Sequence, residues 1–231
     1  MSTDTPDPTS PIRAQSSALR APFASRGGLK LEHALDHFAV EVTGLRCADF
    51  GCNVGGFTDC LLRRGAAAVI AVDTGYGTLA WRLRNDSRVT VRERSNAIHA
   101  PAPQNSERVD LVVIDMGWTP QRLCIPAALR WLQPGVEGVR IVTLIKPHYE
   151  LAPSEKSLLQ KGVLAASDAG RIRDRTLAAM PALGAAVLGC TASPILGGGS
   201  KHNAGGNTEY LALLAPIVRA AITDPPSHPT P

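Results

Sequence analysis

The sequence predicts an α/β fold of seven strands, mostly parallel, with helices on both faces and an antiparallel pair at its end. Three observations predict it. Short apolar runs alternate with segments of helical period, which implies strands joined by right-handed helical crossovers. A glycine-rich turn, Gly51-Cys52-Asn53-Val54-Gly55-Gly56, follows the first apolar run and opens a helix. The last two runs have only the glycine-rich loop 197–206 between them, so they are expected to close as a hairpin.

The elements follow in order. Residues 29–38 carry Leu31, Ala34, Leu35 and Phe38 at helical spacing. Residues 46–50 form a short strand into the glycine turn, and 57–64 a helix stopped by Gly65. An apolar strand at 67–72 ends in Asp73, a short helix spans 79–83, and 89–94 alternates as a strand. The run 109–114 is continuously apolar, as a strand buried on both faces must be. A helix over 121–132 stops at Pro134-Gly135, and the strand 139–145 is closed by Lys146-Pro147. A helix over 168–183 leads to the strands 185–191 and 209–214.

The 231 residues accommodate one such domain, 25–216, between tails at 1–24 and 217–231 that composition reads as disordered and flexible. A formal net charge of +4 suits a nucleic-acid partner without requiring one. The five cysteines form no CxxC pair and no metal-ligand spacing, so reduced thiols, a cytoplasmic location and no metal are expected. No apolar stretch approaches a membrane span, and residues 1–22 lack the apolar core of a secretory signal.

The glycine turn feeds a helix whose first N–H groups favour a negative group. Glycines at 51, 55 and 56 are expected where the backbone turns tightly and a ligand comes close. Asp73 stands at the next strand's end, where it can accept from two ribose hydroxyls, and Asn96 follows the third strand, beside a base. Alone, such a turn is equally a tight strand–helix corner. It is neither the GxGxxG of dinucleotide enzymes nor a phosphate-binding GxxxxGK[ST] loop. Lys30, Asp115, Lys146 and Glu209 form a second, dispersed set. Singly, each reads as a solvated side chain; all four at the cleft-facing ends of their elements read as a site.

Ser25-Arg-Gly-Gly-Leu-Lys-Leu31, Gly55-Gly-Phe-Thr-Asp-Cys60, Ala71-Val-Asp73 with Gly75-Tyr-Gly77, Val113-Ile-Asp115, Lys146-Pro-His-Tyr-Glu150 and Gly206-Asn-Thr-Glu-Tyr210 occur in that order. Together they resemble the TlyA branch of the FtsJ-type RNA 2′-O-methyltransferases, over roughly 25–214. The resemblance implies the Rossmann-like seven-stranded methyltransferase fold and S-adenosylmethionine as cofactor. It implies ribose 2′-hydroxyl methylation of RNA, ribosomal RNA above all, through a tetrad matched by Lys30, Asp115, Lys146 and Glu209. It assigns Asp49, Gly51, Asn53, Gly55, Gly56, Phe57, Thr58, Asp73, Asn96 and Asp115 to the cofactor, and Arg26, Lys30, His148 and Tyr149 to RNA.

A ribose hydroxyl is a weak nucleophile, so Lys146 is read either as a neutral proton acceptor or as a cation steadying the developing charge. Trp118 is a candidate for stacking on a base, and Arg82 and Arg84 for phosphates. The family carries an S4-type RNA-binding domain before Ser25-Arg-Gly-Gly. Here some two dozen residues stand there, so a helper RNA-binding protein is an expected substitute. The competing readings are a non-catalytic RNA- or ribosome-binding protein, a haemolysin-like protein, and methylation of a protein or small molecule on the same fold.

Overall fold

The computed structural model describes residues 23–104, 107–198 and 206–217. The expected tails therefore lie almost wholly outside the described residues, as does most of the 197–206 loop. The elements run α1 (Gly27–His37), β1 (Arg46–Phe50), α2 (Gly56–Arg63), β2 (Ala68–Val72), α3 (Trp81–Arg84) and β3 (Val89–Arg92). They continue with β4 (Leu111–Ile114), α4 (Gln121–Trp131), β5 (Arg140–Ile145), α5 (Ala166–Ala179), β6 (Ala185–Ala192) and β7 (Tyr210–Pro216).

One seven-stranded sheet has the order β3-β2-β1-β4-β5-β7-β6. β3, β2, β1, β4 and β5 are parallel, and β7 inserts antiparallel between β5 and β6. The strand order reverses between β1 and β4, so a crevice opens past their carboxyl ends. Side-chain alternation sends Ala48 and Phe50 of β1 to one face, where Phe50 meets Trp131 of α4 edge-on at 4.9 Å. Cys47 goes to the other, against Leu31 of α1 and Phe57 and Leu61 of α2.

Several boundaries depart from the sequence reading. Val109 makes only an isolated bridge to Leu132, so β4 starts two residues later than expected. The predicted helix 168–183 begins at Ala166, and its last turn tightens into a 3-10 segment, Met180–Leu183, around Pro181. Two further 3-10 segments, Pro147–Tyr149 and Pro153–Leu158, occupy the stretch before α5. Among the described residues no helix is long and apolar enough to cross a membrane.

Candidate active site

A cavity of about 560 Å³ opens at the carboxyl ends of β1, β2, β3, β4 and β5. Gly51, Cys52 and Asn53 come from the turn after β1, and Gly56 and Phe57 from the start of α2. Asp73 and Thr74 follow β2, Ser95 and Asn96 follow β3, and 115–119 follow β4. Lys146 and Tyr149 follow β5, and Ser25, Arg26 and Lys30 close it from the α1 side.

The glycines of the turn have reasons other than ligand approach. Gly51 has φ +84, and a Cβ there would lie 2.7 Å from the Asp115 carbonyl oxygen on the neighbouring strand's end. A Cβ on Gly55 would strike Leu83 and Leu79, and one on Gly56 would lie 2.2 Å from Ser25 Oγ. At all three positions protein atoms already fill the space of a side chain, and Gly51 and Gly56 also line the cavity. Asp49 and Thr58, assigned to the cofactor by resemblance, are each 0% exposed and absent from the cavity wall, as is Gly55. Thr58 Oγ1 donates to Asp49 Oδ2 at 2.6 Å, while Asp49 Oδ1 is buried without a partner. Burial pushes the Asp49 carboxyl up to about 7, against the opposing bond from Thr58.

Asp73 is held in place by backbone. Its Oδ2 accepts the N–H of Asn53 at 2.8 Å and its Oδ1 that of Gly75 at 2.7 Å, which fixes the carboxylate at the cavity wall. Asn96 Oδ1 accepts the Ile98 N–H at 3.0 Å. Thr74, Ser95, Thr119 and Ile195 line the cavity without having been singled out in the sequence. Their position directly after strand ends was the available signal for the first two.

The dispersed set resolves into two ion pairs. Lys146 Nζ lies 2.5 Å from Asp115 Oδ1 and donates to the Met116 carbonyl at 3.3 Å. Lys30 Nζ lies 2.5 Å from Glu209 Oε2, across 179 residues of chain, because α1 packs beside β7. Lys30, Asp115 and Lys146 line the cavity; Glu209, 4% exposed, stands behind Lys30. Burial lowers the Lys146 ammonium, but the charge and hydrogen bond of Asp115 and the charge of Glu209 outweigh it, so its pKa is raised. Lys146 is therefore a cation in this state.

The residues matched to RNA separate. Arg26 is exposed at the cavity wall, whereas Lys30 is 8% exposed and paired with Glu209. Burial, with the charges of Lys146, Lys156 and Lys30, lowers His148 to about 4, so the ring is neutral. Tyr149 lines the cavity, tilted 6.0 Å from Trp118, which is 85% exposed.

A family profile, FtsJ-like methyltransferase, matches residues 23–202. The chain is 40% identical over 194 residues to the 16S/23S rRNA (cytidine-2′-O)-methyltransferase TlyA of Mycobacterium tuberculosis, covering 83% of this chain and 68% of that protein. It is 37% identical over 206 residues to YqxC of Bacillus subtilis, described as a candidate rRNA methyltransferase, covering 88% and 69%. A solved structure of a candidate hemolysin from Streptococcus thermophilus superposes with a TM-score of 0.74 at 35% identity, covering 84% of this chain and 66% of that one. The chain thus spans about two thirds of the length of these relatives. With a match over most of its length and the sheet order and cavity described above, the chain belongs to the FtsJ-like methyltransferase family.

Proposed function

We propose that this protein transfers the methyl group of S-adenosylmethionine to a ribose 2′-hydroxyl of RNA, ribosomal RNA being the favoured substrate. The observation that carries the reading is the cavity itself, which has a nucleoside-type wall at one end and paired lysines and acids at the other. The family membership and the names of the relatives point the same way. In this reading Asp73 holds the cofactor ribose and Asn96 lies beside its adenine. The first N–H groups of α2 and the backbone of 51–53 face its methionine portion.

The hydroxyl is to be attacked by nothing; it attacks, in line with the methyl–sulfur bond, and the sulfonium leaves as a neutral thioether. Lys30, Asp115, Lys146 and Glu209 carry the chemistry. The Asp115 carboxylate takes the hydroxyl proton, and charged Lys146 steadies the oxygen as negative charge develops. Lys30, fixed by Glu209, adds a second positive charge beside it. Alignment of hydroxyl, methyl carbon and sulfur supplies up to ~7–11 kcal/mol of the barrier reduction. Exposed Trp118, with Tyr149, is placed to stack on a base, and Arg26 to meet a phosphate. RNA points to the cytoplasm as the site of action, with a helper RNA-binding protein as an additional partner.

The test is tritiated-methyl transfer to total RNA, with calorimetry of S-adenosylmethionine in parallel. Lys146→Ala is expected to lose about 10²–10⁴-fold in transfer, on the scale of a lost acid–base or charge-stabilising group, while cofactor affinity holds. Run from pH 7 to 9, single turnover by the wild type stays nearly flat, because a cationic Lys146 sheds no proton. A tenfold rise per pH unit would instead make neutral Lys146 the base. No cofactor binding by the wild type would leave the non-catalytic RNA-binding reading in its place.

A further inference from the structure

Three of the six Trp and Tyr residues are solvent-exposed: Tyr76 at 69%, Trp81 at 77% and Trp118 at 85%. Large aromatics spend most of their area inside a fold, so an exposed pair on one rim is informative. Trp118 belongs to the mouth already described. Tyr76 and Trp81 do not line the cavity; they stand outside it, on the side where β1, β2 and β3 end.

Direct contacts tie both to the cavity wall. Val54, 39% exposed, follows the wall residue Asn53, and its carbonyl accepts the Ala80 N–H at 3.1 Å, which seats Trp81 beside it. Beneath Trp81, Leu79 and Leu83 are 3% and 2% exposed and pack over Gly55, so this short helix is anchored. Tyr76 follows Gly75, which is bonded to Asp73 and whose carbonyl accepts the Arg94 N–H at 3.0 Å. The Arg94 guanidinium lies 4.2 Å from the Tyr76 ring centre, and Arg94 precedes the wall residue Ser95.

The charge on this rim is one-sided. Arg94 is exposed and makes no ion pair among the described residues. Arg82 has a side chain 52% exposed, yet its partner Asp59 is 2% exposed. Arg84 pairs with Glu93, whose side chain is 7% exposed. The surface therefore offers two ring faces and positive charge, with the neighbouring carboxylates turned inward and already engaged. A polyanion with flat apolar rings fits it, which is single-stranded RNA.

We propose that RNA flanking the target nucleotide crosses this rim, with bases stacked on Trp81 and Tyr76 and a phosphate on Arg94. The proposal rests on the RNA reading of the cavity and extends it to a second contact surface. It makes the aromatic rim a source of RNA affinity that is independent of the cofactor.

The experiment measures anisotropy of a fluorescein-labelled single-stranded RNA of about 12 nucleotides, a length that spans several stacked bases. The full chain is compared with Trp81→Ala, Tyr76→Ala, Arg94→Ala and Trp81→Phe, with S-adenosylmethionine calorimetry on each. Trp81→Ala and Tyr76→Ala are expected to weaken RNA binding about 5- to 100-fold each, with cofactor affinity within about twofold and Trp81→Phe close to wild type. Arg94→Ala is expected to lower the salt dependence of RNA binding by nearly one counterion. Unchanged RNA affinity in both ring variants overturns the proposal, whether or not a protein is found to bind there. Parallel loss of cofactor affinity also overturns it, since the rings would then serve the cofactor. A wild type that binds RNA through these rings but transfers no methyl group would overturn the reaction and leave this surface standing.

Discussion

The two ends of the cavity are built on opposite principles. Past β1, β2 and β3 the wall is mostly backbone and short polar side chains, with one carboxylate, Asp73, held by two backbone N–H groups at 2.7 and 2.8 Å. Past β4 and β5 and beside α1 it carries charged side chains held in pairs, Lys146 with Asp115 and, from behind the wall, Glu209 with Lys30, each at 2.5 Å. A wall of backbone can be set by local turns, because each donor lies within a few residues of a strand end. A wall of ion pairs needs the whole sheet assembled first. The first end is therefore suited to recognition and the second to chemistry, where opposite charges must be held close without collapsing onto the substrate.

The largest expected effect tests how far the charged end depends on its pairs. Glu209→Gln leaves Lys30 buried without its counter-charge, and removing one partner of a buried pair costs about 3–5 kcal/mol. Asp115→Asn exposes the same logic in a more open setting, since Asp115 is 23% and Lys146 14% exposed at the side chain, and water offsets part of the loss. Chemical denaturation should rank Glu209→Gln well below Asp115→Asn in stability. Equal stabilities would show that the two pairs are solvated alike.

The recognition end gives the next effect. Asp73→Asn keeps the shape of the side chain but removes a charge that accepts from both N–H groups and, in our reading, from ribose hydroxyls. Hydrogen bonds to charged groups contribute about 1.5–3 kcal/mol, so cofactor affinity should fall roughly 10- to 100-fold. Transfer at saturating cofactor should change little, which is the mirror image of Lys146→Ala. Loss of transfer at saturation would mean that the two ends are not separable.

The same contrast decides what could be read in advance. The strands β1, β4 and β5 show themselves as apolar runs because burial on both faces leaves little choice of residue. Asp73 and Asn96 are legible because each follows a strand end. The pairing of Lys30 with Glu209 is not, since nothing local in α1 announces a partner 179 residues away; only the motif order hinted at it. The glycine turn is legible as a turn, but the protein contacts that also require its glycines are not. Gly55 faces Leu79 and Leu83, and Gly56 faces Ser25, contacts that depend on how α3 and the segment before α1 fold back. The setting of Asp49 is not legible for a related reason, because strand parity aims it at Thr58 of α2.

Asp49 supplies the smallest expected effect, and it too separates the two ends. Unlike Lys30 it has no counter-charge, only the Thr58 hydroxyl, and burial raises its carboxyl from 3.8 to about 7. From about pH 4 to about pH 7 the unfolded chain has released a proton that the folded protein still holds. The unfolded state binds fewer protons, so this carboxyl makes stability fall as pH rises across that window and adds no further slope above it. Asp49→Asn has no such proton to hold. Its melting temperature relative to the wild type should therefore drift upward by a few degrees between pH 6 and 8, a few degrees being the scale of about 1 kcal/mol in a chain of this size. A constant offset would show that Asp49 ionises normally inside the fold. That outcome would require water or another donor to reach Oδ1, and would return this carboxylate to the list of groups the cofactor end can use.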